Sequence, residues 1–199
     1  MRNKLFLLLV LGLLTGTTFA QDMLALTYST AASTGKLNDY ISKYSFRGMA
    51  IDYRTGLKDN LIYGVSTSWN VFYEEKEYDS YTFETVTATG KQFRYTNAFP
   101  MMGNIDYAGK KGNLEWFAGL GLGTTYLTRE TDFGSWAFTT NTWQFLMAPE
   151  VGIAYPLISG NNIFASIRYH QNIKSKDLDG QSYLSVNIGF GFGSLTNKY

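Results

Sequence analysis

Asp52 lies between Ile51 and Tyr53, Asp106 between Ile105 and Tyr107, and Arg168 between Ile167 and Tyr169. Arg94, Glu115 and Glu150 have similarly apolar neighbours, and His170 lies between Tyr169 and Gln171. In an extended chain, successive side chains point to opposite faces. These seven residues therefore share a face with Gly, Ser and Asn, while the apolar residues take the other face. Charges gathered in a narrow interior need partners, so the set Asp52, Arg94, Asp106, Glu115, Glu150, Arg168 and His170 reads as a structural network of ion pairs filling a lumen. The competing chemistry is ion or proton conduction along the same groups.

Other chemistries have less to work with. His170 is the sole histidine and cysteine is absent, which excludes a metal centre built on several imidazoles or thiolates. The acidic run Glu74, Glu75, Glu77 and Asp79 could gather calcium through its oxygens, but it reads as a solvated charge run. Gly119, Gly121 and Gly123 lie inside a strand-like segment and lack the helix start that holds phosphate. No catalytic residue, metal or cofactor is expected.

The composition limits what can position these groups. Of 199 residues, 45% are hydrophobic, 17% charged and 17% aromatic, which suits one ordered domain. A net charge of +1 leaves no electrostatic footprint for nucleic acid. Arg2 and Lys4, an apolar run over 5–14 and the small Ala20 read as a signal peptide, 1–20, cleaved to leave 21–199. An exported protein without cysteine must be held by backbone pairing and packing.

Eight strand-like segments follow, over 24–31, 44–55, 61–74, part of 91–107, 114–127, 143–155, 163–172 and 182–192. The spacers alternate long and short, so an up-and-down meander places three short turns at one end and four long loops at the other. Pro100 and Pro149 predict bulges or local breaks. The last segment shows the pattern most clearly. Leu184, Val186, Ile188, Phe190 and Phe192 oppose Ser185, Asn187, Gly189 and Gly191.

A soluble lipocalin-like barrel would put the apolar face inside. Here the converging face is rich in Gly, Ser, Ala and Asn, which would leave such a core full of voids. The same face suits a narrow lumen, with Gly119, Gly121 and Gly123 admitting larger neighbours across the axis. Tyr53, Tyr63, Tyr107, Trp116 and Tyr155 lie beside the short turns, and Trp69, Tyr73, Tyr126, Trp143 and Tyr183 toward the long loops. Two aromatic girdles flanking an apolar band fit a bilayer with two interfaces. The expected fold is all-β, an eight-stranded antiparallel up-and-down transmembrane β-barrel.

With these features the chain resembles the small eight-stranded outer-membrane barrels of the OmpA and OmpX type, and more narrowly those common in Bacteroidetes. The stretches 41–48 and 51–54 look like that family's first hairpin, and 187–192 like its closing strand. The resemblance implies a bacterial outer-membrane location, contact with outer-membrane lipid and lipopolysaccharide, and insertion by the outer-membrane assembly machinery reading the last strand. It implies no single activity. Around His170 there is a likeness to the lipid A deacylases, also eight-stranded barrels. Those enzymes carry a serine two residues after the histidine, where this chain has Asn172, and a histidine without its nucleophile does not run acyl transfer.

The resulting reading is a non-enzymatic barrel with a structural or surface-interaction role. Its loop aromatics Tyr40, Tyr78, Tyr81, Phe83, Phe133, Trp136 and Phe138 would be available to an extracellular or envelope protein or a glycan. The alternatives are a narrow pore or small-solute transporter and, third, a lipid-modifying enzyme.

Overall fold

A computed structural model of the chain describes residues 22–83, 86–134, 136–157 and 161–195, with the side chains of 82–88 left aside. The expected signal peptide, 1–20, lies outside the described residues. The strands are β1 (Asp22–Thr34), β2 (Gly48–Lys58), β3 (Leu61–Phe83), β4 (Val86–Lys111), β5 (Leu114–Phe133), β6 (Trp136–Pro156), β7 (Asn161–Asn172) and β8 (Ser182–Gly193). A short helix, α1 (Gly35–Tyr40), follows β1. Each strand pairs antiparallel with the next, and β1 closes on β8 through Leu24↔Phe192 to Thr34↔Ser182, giving a closed eight-stranded barrel. Closure leaves every wall strand with two neighbours, so no sheet edge is left along the wall itself.

The burial alternation has the predicted sense. Along β8, Leu184, Ile188 and Phe190 are exposed while Ser185 and Asn187 are buried. Along β3, Val65 and Trp69 are exposed while Ser66, Ser68 and Asn70 are buried. The barrel thus presents apolar side chains outward and encloses polar ones. Exterior aromatics mark both ends of this band, with Tyr107 against Trp116 at the short-turn end. Tyr73 lies against Tyr95, and Tyr126 against Trp143, at the other end. Tyr183 is not among them: it is wholly buried in the lumen, because its parity on β8 is that of Ser185.

Two of the expected long loops are mostly strand. The hairpin β3–β4 pairs out to Phe83↔Val86, and β5–β6 out to Phe133↔Trp136, so both stand beyond the barrel rim as ribbons. The prolines interrupt pairing without shifting register. Between β3 and β4 the ladder passes from Thr67↔Met101 to Asn70↔Ala98 across Pro100. Between β6 and β7 it passes from Met147↔Gln171 to Glu150↔Arg168 across Pro149. A proline has no N–H to donate, which removes one rung and leaves the neighbours in step. The register shifts lie elsewhere, between Gly56 and Lys58 and between Lys76 and Asp79.

Candidate functional site

The lumen is filled in layers. Nearest the short turns, Met23, Ile62, Phe117, Phe164 and Leu195 form an apolar cluster, with Phe117 and Phe164 stacked at 5.6 Å between centroids. Leu195 belongs to the stretch just after β8. It turns back into the barrel where Glu115 accepts hydrogen bonds from the Ser194 hydroxyl at 2.7 Å and the Leu195 amide at 2.9 Å. Glu115 therefore anchors the stretch just after β8 at the short-turn mouth, apart from the other lumen charges.

Above this cluster lies an ion-pair layer built on two arginines. Arg54 reaches Asp106 through Nε at 3.0 Å, Glu150 through Nη2 at 2.6 Å and Asp52 through Nη1 at 3.3 Å. Arg168 Nη2 reaches Asp52 at 2.6 Å and Glu150 at 2.7 Å. The Arg54 guanidinium also lies 4.3 Å from the Phe117 ring centroid, which couples the charged layer to the apolar one beneath. Ser66 donates to Asp52 at 2.5 Å. Groups from β2, β4, β6 and β7 are thereby tied across the lumen. Desolvated charges of this kind are tolerable only when each has partners close by.

Arg54 was missed by the sequence reading, although the alternation that places Ala50 and Asp52 inward reaches it two residues on. Gly119 explains how the wall comes close to Asp106. A Cβ there would lie 2.0 Å from Asp106 Oδ1 and 2.4 Å from the Ile105 carbonyl oxygen. The glycine therefore admits the adjoining strand β4, not a neighbour across the axis as the sequence reading had it.

His170 lies fully buried, its Nε2 3.1 Å from Ser185 Oγ and its ring stacked 4.2 Å from that of Tyr183. The hydroxyl neighbour thus comes from β8 and not from position 172. Asn172 instead accepts from Thr125 at 2.5 Å and donates to the Gln181 carbonyl at 3.0 Å, holding the loop before β8. A serine and a histidine in contact satisfy one element of nucleophilic catalysis. Here both are sealed in the packed interior, and His170 Nδ1 has no hydrogen-bond partner among the described residues.

The long-hairpin mouth is stoppered. Leu37 and Ile41, in and just after α1, are wholly buried with Phe72, Leu127, Leu178 and Tyr183. Tyr40 sits between two guanidinium groups, Arg129 at 4.0 Å and Arg94 at 4.9 Å from its ring centroid. Arg94 Nη1 also donates to the Tyr40 carbonyl at 2.8 Å, so Arg94 serves the stopper and not the central layer. Burial pushes the Tyr40 phenol up despite these cations and the Thr131 hydroxyl, keeping it protonated. Glu74 fixes the next turn, accepting from the Ser42 amide at 2.7 Å, the Ser42 hydroxyl at 3.0 Å and Lys76 at 2.8 Å. The other rim aromatics divide. Tyr78, Trp136 and Phe138 are exposed, whereas Phe133 is buried and Tyr81 meets its ring edge-on. The Phe83 side chain lies outside the described residues.

With this geometry in place, comparison with solved structures gives the relation. Neisserial surface protein A matches with a TM-score of 0.57 at 12% identity, covering 86% of this chain and 96% of that one. This chain has the fold of the small outer-membrane β-barrels. Ail, the attachment invasion locus protein of Yersinia pestis, matches with a TM-score of 0.51 at 11% identity, over 87% of this chain and 100% of that one. No family model matches the chain, and no curated protein matches it in sequence. At 11–12% identity the likeness to these outer-membrane barrels is one of fold.

Proposed function

We propose that the protein is a non-enzymatic barrel of the bacterial outer membrane, with its lumen closed and its interactions made at the lipid-facing wall and the protruding hairpins. The short turns and the chain ends face the periplasm, and the β3–β4 and β5–β6 ribbons face outward. The observation that carries this reading is the layered lumen: paired charges between an apolar cluster at one mouth and the α1 stopper at the other. An eight-stranded barrel has an interior just wide enough for side chains to fill, and a filled lumen holds the wall rigid without offering a path.

The charge network Asp52, Arg54, Asp106, Glu150 and Arg168 is structural on this reading, with Arg94, Glu115 and His170 serving the two mouths and the interior packing. The last strand, β8, with Phe192 next to its end, is what the assembly machinery engages. Tyr78, Trp136 and Phe138 on the ribbons are the groups offered to an extracellular or envelope protein or a glycan. Ail, by its name, is an attachment and invasion protein, and an adhesive role for the ribbons here accords with that fold relative. Planar-bilayer recording on the refolded barrel tests the closed lumen directly. The expected trace has no large, steady openings; steady ohmic conductance would favour the pore.

A further inference from the structure

The β1–β8 pairing differs from every other in the ring. The rest join strands that follow one another in the chain, whereas β1 and β8 meet only when the whole wall has curled round. Closing so long a loop costs more chain entropy than any other pairing here. Parting these two strands also frees both ends of the wall, which parting a hairpin does not. This seam is therefore where the closed ring reopens at least cost.

At the short-turn mouth β8 stays in register with β1 as far as Met23↔Gly193. Gly193 then turns the chain at a φ of 104°, and a Cβ there would lie 1.8 Å from the Asp22 carbonyl oxygen, so only glycine brings the two backbones this close. The Ser194 amide donates to that same carbonyl at 3.1 Å, and Asn162 on β7 donates through Nδ2 to the Gly193 carbonyl at 2.5 Å. The chain next leaves the wall for the lumen. There one Glu115 oxygen takes the Ser194 hydroxyl and the other takes the Leu195 amide. The Leu195 side chain is 2% exposed and belongs to one apolar cluster with Met23 of β1, Ile62 of β3, Phe117 of β5 and Phe164 of β7. Glu115 stands on β5, opposite β1 in the ring, with β2, β3 and β4 between them one way and β6, β7 and β8 the other. The stretch after β8 is thus fastened to β1, to β7 and, across the lumen, to β5.

We infer that Gly193, Ser194 and Leu195 form a latch on the β1–β8 seam, fastened after the two strands have paired and holding them together at the short-turn mouth. The geometry sets this order. The Asp22 carbonyl meets the Ser194 amide only with β1 and β8 in register, and the seat of Leu195 exists only once residues of β1, β3, β5 and β7 have been brought together by closure. Once the latch is fastened, β8 cannot peel from β1 without drawing Leu195 out of the apolar cluster and its amide off the Glu115 carboxylate. A contact made after the ring has closed leaves the rate of closing unchanged and slows the rate of opening.

Ser194→Ala/Leu195→Ala tests this, since it removes the hydroxyl bond and the buried side chain while leaving every strand residue in place. Hydrogen–deuterium exchange on the refolded barrel is expected to quicken by about tenfold or more over 23–26 and 189–193, with 103–107 and 116–120 of the β4–β5 wall at wild-type rates. Refolding, followed as the time course of heat-modifiable gel migration, is expected to stay within about twofold of wild type, while unfolding in urea speeds up by about tenfold or more. Leu37→Ala at the opposite mouth is the control, expected to leave exchange at the seam unchanged. Unaltered seam exchange in the double variant, or exchange raised equally right round the ring, overturns the latch. So does slower refolding with an unchanged unfolding rate, which would place the contact before closure. Should the double variant not refold, Ser194→Ala alone is read by the same signs, with unaltered seam exchange again overturning the latch.

Discussion

At the scale of single residues, Arg54 bears most on the interior. It contacts three carboxylates from three strands and lies over the Phe117 ring. Its removal would leave Asp52, Asp106 and Glu150 with Arg168 as their remaining cation in the layer. Arg54→Ala is therefore expected to lower the unfolding free energy of the reconstituted barrel by roughly 3–5 kcal/mol, the range for stripping one partner from a buried pair. Urea titration in vesicles reads this, and an unchanged midpoint would show that the layer carries little.

Glu74 gives a pH dependence at the mouth. Burial works to raise its carboxyl, but the Lys76 ammonium and the two Ser42 bonds outweigh burial and hold it below the usual carboxylate range. With the folded value below the unfolded one, its contribution is full above the unfolded value and is lost as pH falls through the folded one. Amide exchange at Ser42 is expected to be slow at neutral pH and to speed up, relative to the wall strands, on acidification below the ordinary glutamate range.

Among the elements, α1 separates a stoppered mouth from an open one. Six residues are too few for a stable helix alone, so its order comes from burying Leu37 and from the Tyr40 clamp. Leu37→Ala is expected to cost about 2–5 kcal/mol locally, seen as faster exchange over 35–41 with β1 and β8 unchanged. Loss of protection throughout the barrel would mean that the stopper and wall fold as one unit.

The elements also show what the sequence made legible. Strand number, order and outward face could be read because alternation has a period of two and each strand repeats it. Asp52, Asp106, Glu150 and Arg168 could be placed on one face by parity alone. Which of the inward charges meet depends on strand tilt and stagger, which no single strand encodes. For that reason Arg94 and Glu115, read with the central set, fall at opposite mouths. The ribbon character of 75–90 and 128–142 was hidden as well, since their polar residues are strand-compatible only once two strands pair beyond the membrane. α1 carries no strong helix signal, because tertiary burial forms it.

The whole molecule needs two solvents and a dry interior: hydrocarbon outside the band, paired side chains within. The natural chain has no cysteine, so single labels can be introduced without background. Spin labels at Leu122→Cys and Val151→Cys report the outer face, and one at Ala148→Cys the lumen. In reconstituted bilayers the first two are expected to collide with oxygen and not with a water-soluble nickel chelate, while the lumen label is shielded from both. Outer-face labels quenched by the nickel chelate, as water would allow, would contradict the hydrocarbon setting.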